Sequence, residues 1–293
     1  MQGIIAAIPT PVDSTGQPVE ALFLEHARWA LANGCDGLNV LGSTGEANSL
    51  DSQTRRRVMQ WAARGLDTAR LMVGTATPSL AETIALTTHA DDLGYPVALV
   101  LPPYYYTPPS DDGLLRWYSE LHAALGDRPI RVWFYNYPQM TGFAISEQVI
   151  ADLHRIAPDR FDGIKDSSGD LDYCRRLAAA MPALRVFPSS ETSLPQAGEA
   201  GFAGCISATV NHSAPLCARL LRGGPGAAEL AEDIAELRAA ISAQPLIPAV
   251  KHLVARRTGA ADWTHTLPPF MPLSTAQIAA LDHHVPVVST VTA

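Results

Sequence analysis

Lysine is rare in this chain, and its two lysines are the first candidates for chemistry. Among 21 basic residues only Lys165 and Lys251 are lysines, and the others are arginines. An amine can lose its proton and attack a carbonyl, whereas a guanidinium stays charged. Lys165 also ends an apolar run, residues 161–165, where burial favours the neutral, nucleophilic amine. The pattern allows Schiff-base formation with a ketone, and it equally allows an ion pair of Lys165 with Asp166 or Glu46.

A tyrosine and a hydroxyl-rich turn supply groups that could assist such an amine. Tyr135 ends the apolar run that precedes Lys165, so its phenol either relays protons or is a core aromatic with its hydroxyl at the rim. Ser43, Thr44 and Gly45 form a turn with two hydroxyls and free backbone N–H groups. Such a turn can bind a carboxylate or a phosphate, and it is also a common connection between a strand and a helix.

Two runs of like residues allow only broad predictions. Three consecutive tyrosines, residues 104–106, lie between Pro103 and Pro108 and predict a stiff aromatic loop. Aromatic residues are enriched at interfaces, so a subunit contact is at least as good an interpretation as a substrate contact. The three arginines at 55–57 predict a solvated helix face.

Motifs for metals and common cofactors are missing from the sequence. The nine histidines form no HExxH pattern, and the four cysteines lie apart with no CxxC pair. The first apolar run leads into Pro9-Thr10-Pro11 and not into a glycine-rich dinucleotide turn. We therefore predict no metal site and no cofactor.

Short apolar runs alternate with helical patterns along about the first 210 residues. Eight such units favour a (β/α)8 TIM barrel, an α/β fold, over an open doubly wound sheet. Residues 1–212 are predicted to form the barrel, and residues 213–293 a C-terminal helical extension packed on it as part of one structural unit. The predicted strands are 4–8, 37–41, 71–74, 97–101, 130–135, 161–165, 184–187 and 203–207. The predicted helices are 18–33, 51–64, 79–93, 110–124, 146–155, 170–180 and 192–200.

Composition and charge narrow the class of partner. The chain has 293 residues, of which 47% are hydrophobic and 17% charged, and this balance indicates a globular protein. A net charge of −8 disfavours nucleic acid and anionic membranes as partners. The longest apolar stretch, 97–101, is too short for a membrane span, and the N-terminus does not look like a signal peptide. With scattered cysteines, a cytoplasmic protein is expected.

Taken together, six motifs resemble the dihydrodipicolinate synthase and N-acetylneuraminate lyase family of class I aldolases. Together they span essentially the whole chain, and their joint pattern is far more specific than any one of them. The motifs are Thr10-Pro11, GSTGE at 42–46, PYY at 103–105, YNYPQMTG at 135–142, GIKDSSGD at 163–170 and GCIS at 204–207.

The resemblance implies a role for each matching catalytic position. Lys165 would be the Schiff-base lysine that attacks the keto carbon of pyruvate or another 2-oxo acid. Tyr135 would be the general acid and base, and Thr44 and Tyr105 would complete a hydroxyl relay with it. In this family the second tyrosine of the PYY loop often comes from a neighbouring subunit, and homotetramers built as dimers of dimers are usual.

The resemblance also implies which residues hold the substrate. Ser43, Thr44 and the backbone of Ile206 would bind the carboxylate of the 2-oxo acid, and an aldehyde would be the second partner. Specificity would be decided by residues beyond this carboxylate site. These residues are Met140, Ser167, Glu191 and Ser207.

Departures from the family patterns bear on the substrate. Met140 stands where dihydrodipicolinate synthases carry an arginine for the carboxylate of the aldehyde, and residues 189–192 lack the Gly-Tyr-Asp-Glu run of sialic-acid lyases. GSTGE and Ser167 are more similar to aldolases of 2-keto-3-deoxy sugar acids, with Glu191 able to accept hydrogen bonds from a polyol. The alternatives are 4-hydroxy-tetrahydrodipicolinate synthesis, dehydration of a sugar diacid through the same imine, and a non-catalytic sensor of 2-oxo acids.

Overall fold

In the computed structural model, which describes residues 1–286, eight parallel strands form one sheet. The spatial order is β7-β6-β5-β4-β3-β2-β1-β8, and the N–H of Ala203 closes the ring by donating to the carbonyl of Val186 at 2.9 Å. The predicted (β/α)8 TIM barrel is confirmed. The strands are β1 Gly3–Ala7, β2 Gly37–Val40, β3 Leu71–Gly74, β4 Val97–Val100, β5 Arg131–Asn136, β6 Gly163–Asp166, β7 Arg185–Pro188 and β8 Gly204–Ser207.

Helices follow the strands in the order expected of a barrel. Side chains cap several of them: Asp51 accepts from the N–H of Thr54 at 2.7 Å, and Ser110 accepts from Gly113 at 3.1 Å. The helices are α1 Glu20–Ala32, α2 Ser52–Gly65, α3 Leu80–Asp92, α4 Asp111–Leu125, α5 Pro138–Thr141, α6 Glu147–Ile156, α7 Leu171–Ala180, α8 Ala197–Ala200, α9 Val210–Arg222, α10 Ala227–Ser242, α11 Leu246–Thr258 and α12 Thr275–His284.

The strands are short and buried on both faces, as a parallel sheet covered by helices requires. Every residue of β2, β3 and β4 is buried. Trp133 on β5 stacks on Phe187 of β7 with ring centroids 5.1 Å apart, and its indole N–H donates to Asp162 at 2.6 Å. Because the strands are parallel and the barrel is closed, all eight carboxyl ends lie at one end of the molecule.

The helix after β8 modifies the predicted division of the chain. The boundary proposed at 212/213 falls inside α9, which packs on β1 and so completes the eighth strand–helix unit. The helices α10, α11 and α12 share a second apolar cluster that includes Leu237, Val250 and Leu281. Helix α10 packs on α9 and on the turn at 191–196, and this contact brings it to the carboxyl end of β7. The extension therefore borders the end of the barrel where a TIM-barrel site is expected.

The predicted helix at 192–200 is replaced by two shorter elements. A 3₁₀ turn, Glu191–Gln196, precedes α8 and contains Pro195. Proline cannot donate the backbone bond that a continuous α-helix needs at that position. The turn buries the Glu191 side chain beneath the strand ends.

Gly204 predicts a test of how tightly the barrel closes. Its φ of +141° is strained for other residues, and a Cβ there would lie 1.9 Å from the carbonyl oxygen of Gly3. We expect Gly204→Ala to lower the free energy of unfolding by about 2 kcal/mol or more, measured by chemical denaturation. Gly198 is the matched control, because its Cβ would meet nothing within 4 Å. Equal stability of the two alanine variants would contradict the assignment.

Candidate active site

The site is organised by the register of β5 and β6, which pairs Tyr135 with Lys165. Paired residues of neighbouring strands point to the same face, so both side chains enter the barrel mouth. The Nζ atom of Lys165 donates to the Tyr135 hydroxyl at 3.3 Å and lies 4.4 Å from the centroid of its ring. The lysine is 4% exposed. The amine therefore has a phenol in reach and little water around it.

The hydroxyl turn after β2 lies against this tyrosine. The Oγ atom of Ser43 is 3.5 Å from the Tyr135 hydroxyl. Ser43, and not Thr44, is therefore the hydroxyl of the turn nearest to the phenol, although Thr44 also lines the cavity. Leu41 and Glu46, on either side of the turn, have positive φ angles of 54° and 55°. Such backbone strain persists only where the surroundings hold it.

A buried ion pair holds the far end of the turn. Lys251 of α11 donates to Glu46, and both side chains are almost completely buried. The second oxygen of Glu46 accepts from the N–H of Leu267 at 2.6 Å. Burial lowers the pKa of Lys251, and the Glu46 carboxylate opposes that shift. The second lysine of the chain thus connects the hydroxyl turn to the C-terminal helices.

A cavity of about 600 Å³ opens above Lys165 and Tyr135. It brings together most of the residues that sequence predicted, including Met140, Ser167 and Ile206. Its other lining residues are Ser43, Thr44, Glu46, Asn48, Ser49, Leu101, Tyr104, Tyr137, Gln139, Thr141, Ser189, Ala208, Arg238, Leu246, Ile247 and Phe270. The volume suits a small organic acid with several polar substituents.

Three predicted site residues lie elsewhere. Tyr105 is 75% exposed, and its ring packs edge-on against Tyr106. The tyrosine of this run that lines the cavity of its own chain is Tyr104. Glu191 and Ser207 are buried behind the wall and do not line the cavity. The prediction that they face a substrate in the cavity does not agree with these positions, and both instead bind Arg238, which does line it.

Arg238 was not anticipated from the sequence. Its Nη1 atom donates to Glu191 at 2.9 Å and to Thr209 at 2.8 Å. Glu191 accepts further bonds from the hydroxyls of Ser207, at 2.6 Å, and Ser213, at 2.9 Å. The carboxylate is therefore fully satisfied although it has no exposed surface. In the sequence, Arg238 belongs to an acidic helical pattern that gives no sign of a cavity. Its place in the cavity becomes evident only from the position of α10 over the strand ends.

The arginine run at 55–57 is only partly a solvated face. Arg55 is 3% exposed, and its guanidinium donates to the carbonyls of Gly74, at 2.9 Å, and Ala76, at 3.3 Å. Burial lowers the pKa of Arg55 to about 10, so the group keeps its charge at neutral pH. It borders a small second cavity that is also lined by Ser43 and Tyr135. The interpretation of residue 55 as solvated is wrong, and a buried cation lies beside the hydroxyl turn.

Asp166 braces the strand ends around Lys165. It accepts from the Asn136 amide at 2.7 Å and from Ser168 at 2.7 Å. The carbonyl oxygen of the Asn136 side chain accepts from the N–H of Ile145 at 3.0 Å. Burial raises the pKa of Asp166, and these donors moderate the rise. Within residues 1–286, Lys165 forms no ion pair with Asp166 or with Glu46, which the sequence had left open.

Residues 1–286 contain neither a cluster of metal-binding side chains nor a helix suited to a membrane. In this part of the chain, no three histidine, cysteine or acidic side chains lie together as they would around a metal ion. No helix there combines the length and apolar character needed to cross a membrane.

Comparison with known proteins gives consistent matches. The family described as "Dihydrodipicolinate synthetase family" matches residues 1–286. An uncharacterized DapA-like lyase of Chloroflexus aurantiacus is 33% identical and covers 96% of this chain and 94% of the relative. A 4-hydroxy-tetrahydrodipicolinate synthase of Rhodospirillum centenum is 34% identical over 75% of this chain and 74% of the relative. The structure of dihydrodipicolinate synthase from Agrobacterium tumefaciens superposes with a TM-score of 0.87 at 28% identity, covering 98% of this chain and 100% of that one.

The buried ion pair predicts a large, partner-dependent loss of stability. Lys251→Met leaves the Glu46 carboxylate without its cation, which costs about 3–5 kcal/mol for a buried pair. Adding Glu46→Gln should recover part of that loss, because the unpaired charge is removed. Chemical denaturation of the single and double variants measures the coupling.

The control is Arg64→Met, which breaks an exposed pair with Glu20. An exposed ion pair contributes less than about 1 kcal/mol. Equal losses for the buried and the exposed pair would contradict the importance assigned to the Glu46–Lys251 contact.

Proposed function

Because the chain belongs to the dihydrodipicolinate synthetase family and is therefore an aldolase-type lyase, we propose that Lys165 forms an imine with a 2-oxo acid. The observation that carries this proposal is the contact between the Lys165 amine and the Tyr135 hydroxyl inside a small-molecule cavity. The reaction would cleave or form the bond between C3 and C4 of the acid. It needs no cofactor, since the imine itself withdraws the electrons.

The first step joins the lysine to the substrate. The neutral amine of Lys165 attacks the keto carbon, and the carbonyl oxygen takes a proton to give a carbinolamine. Loss of this hydroxyl as water, with the proton it needs supplied through Tyr135, leaves a protonated imine. A phenol at 3.3 Å from Nζ is within reach of both proton transfers. Ser43, at 3.5 Å from the phenol, extends the relay away from the lysine.

The second step breaks the carbon–carbon bond. A base takes the proton of the C4 hydroxyl, the C4 oxygen forms the aldehyde carbonyl, and the electrons of the C3–C4 bond move into the imine to form an enamine. Protonation of the enamine at C3 and addition of water at C2 release pyruvate and restore the amine. Tyr135 is the group we assign to these proton transfers, and microscopic reversibility assigns it to synthesis as well.

The carboxylate end of the substrate belongs at the hydroxyl turn. Ser43 and Thr44 offer hydroxyls and backbone donors there, and Ile206 lines the same cavity on β8. The buried Arg55 cation lies behind Ser43 and adds a positive field at this end. A 2-oxo acid held by its carboxylate at this turn would have its keto carbon next to Lys165.

Among aldolase substrates we favour 2-keto-3-deoxy sugar acids. Polar side chains, including Gln139, Ser167 and Ser189, line the cavity beyond the lysine. Met140 is 62% exposed and supplies no charge there, although a dihydrodipicolinate synthase would need a partner for a second carboxylate.

A second candidate is 4-hydroxy-tetrahydrodipicolinate synthesis, which the 34% identity to a synthase favours. Dehydration of a sugar diacid would use the same imine. For assembly we propose a homotetramer in which the exposed Tyr105 reaches the site of a neighbouring copy.

Borohydride trapping tests the imine directly. Incubation with pyruvate, reduction and peptide mass spectrometry should place the adduct on the peptide that contains Lys165. Lys251 is an internal control, because the chain has no other lysine and this one is completely buried. Lys165→Ala should abolish trapping, and Tyr135→Phe should slow it by roughly 10²- to 10⁴-fold, the range for lost acid–base catalysis.

Product analysis then separates the candidate reactions. Pyruvate and an aldehyde from a 2-keto-3-deoxy sugar acid would support the aldolase, whereas condensation with an amino-aldehyde or loss of water from a diacid would support the alternatives. Cleavage that persists in folded Lys165→Ala would reject the proposal. Saturable binding of a 2-oxo acid with no imine and no turnover would indicate a sensor.

A further inference from the structure

Among the described residues that line the cavity there is one guanidinium, that of Arg238 on helix α10. All three of its recorded hydrogen bonds use Nη1, which contacts Glu191, Ser207 and Thr209. Within residues 1–286, its Nε and Nη2 atoms make no hydrogen bond to protein, and the side chain is 24% exposed. The Nε and Nη2 donors of this lining residue are therefore available to a ligand, and Nη1 is held by Glu191, Ser207 and Thr209.

The charge of Arg238 is already compensated. Glu191, its partner at 2.9 Å, has no exposed surface, so water reaches the pair only from the side of Arg238 and screens it weakly. Three hydroxyls, from Ser207, Thr209 and Ser213, also donate to the carboxylate and hold it in place. The pair as a whole presents N–H donors to the cavity without a net charge.

Among the described residues that line the cavity, one cation, Lys165, has no ion-pair partner. Among lining residues that the structure describes, the charged ones are Glu46, Lys165 and Arg238. Glu46 is paired with Lys251, and Arg238 with Glu191. Lys165 is consumed by the imine, whose positive charge faces the carboxylate held at the hydroxyl turn. A second anion in the cavity would find no unpaired cation, and a desolvated anion without one is strongly disfavoured.

The two ends of the cavity therefore differ in charge. Near Ser43 the buried Arg55 makes hydrogen bonds only to backbone carbonyls and forms no ion pair within residues 1–286, and the carboxylate of Glu82 acts on its charge only from a longer distance. On the part of the wall that α10 forms, the guanidinium charge of Arg238 is instead matched by the buried carboxylate of Glu191. One end suits an anion, and the other suits neutral oxygen atoms that accept hydrogen bonds.

We infer that the substrate is a monocarboxylate whose far end is a neutral polyol, and that the Nε and Nη2 donors of Arg238 bind its hydroxyls while Glu191 compensates the charge. This inference rests on the proposed function, since it assumes a 2-oxo acid bound through Lys165. It assigns Arg238 as a residue that binds substrate and Glu191 as a positioning residue. The inference excludes a carboxylate or a phosphate as the preferred group at the end of the substrate that lies away from Lys165.

Three substrates with the same head and different ends provide the test. They are 2-keto-3-deoxygluconate, its 6-phosphate and the corresponding 2-keto-3-deoxy diacid. The kcat/KM for cleavage should be at least about 10-fold higher for the neutral compound, which corresponds to 1.4 kcal/mol. Protection of Lys165 from trapping by pyruvate and borohydride ranks the three compounds even where cleavage is slow.

Two substitutions separate charge from structure. Glu191→Gln keeps the shape but frees the Arg238 charge, so the ratio of kcat/KM for the charged over the neutral compounds should rise about 10-fold or more. Ser213→Ala is the matched control, because it removes one donor to Glu191 without changing any charge and should leave this ratio unaltered. Arg238→Gln should raise KM for the neutral compound about 10- to 100-fold, a larger change than in the pyruvate concentration that half-saturates trapping at Lys165.

If Glu191→Gln does not fold, the double variant Glu191→Gln with Arg238→Gln removes both charges. It should still favour the neutral compound, with a raised KM. Preference of the unaltered enzyme for the phosphate or the diacid would overturn the inference, as would a selectivity ratio that folded Glu191→Gln leaves unchanged. Both outcomes leave the imine intact, whereas absence of any adduct on Lys165 would reject the proposed function and this inference with it.

Discussion

The ion pair between Glu46 and Lys251 is the contact on which the geometry of the cavity depends. Both charges are out of water, and a buried pair of this kind is costly unless its remaining hydrogen bonds are made. The N–H of Leu267 makes one of them. Because Glu46 ends the hydroxyl turn and Lys251 lies on α11, the pair connects this turn of the barrel to the C-terminal helices. The hydroxyl turn and the C-terminal helices that form part of the cavity wall are therefore fixed relative to each other.

The register of the strands determines where the side chains of Tyr135 and Lys165 lie. Parallel strands with paired residues direct Tyr135 and Lys165 to the same side, and the closed barrel brings the hydroxyl turn after β2 to the same end. None of these contacts needs a long or flexible loop. A proton relay benefits from such rigid placement, because a shift of one ångström in a hydrogen bond lowers its efficiency substantially.

Sequence reasoning predicted the barrel and selected Lys165 and Tyr135 as candidates, because both produce local signals. Alternating apolar and amphipathic runs predict strands and helices, and a lysine that ends an apolar strand stands out among arginines. The same reasoning misjudged Arg55 and did not find Arg238. Whether an arginine on a helix is solvated or buried depends on what lies opposite that helix, here the carbonyls after β3 for Arg55 and the turn at 191–196 for Arg238. Glu191 was predicted to face the cavity for the same reason. The sequence does not show whether a side chain at the cavity wall points into the cavity or into the protein interior.

This architecture separates the residues that we propose for the chemistry from the residue that we propose for substrate specificity. Lys165 and Tyr135 lie on strands, where a displacement would disturb the core, whereas Arg238 arrives from a helix outside the eight strand–helix units. A helix that packs on the strand ends can change its cavity-facing residues at little cost to the barrel. Met140, exposed at the mouth, adds no charge to the cavity, and Arg238, fixed by a buried carboxylate, supplies hydrogen-bond donors without a net charge. In the function we propose, the imine chemistry would stay the same while the second substrate is selected by groups that do not contact the lysine.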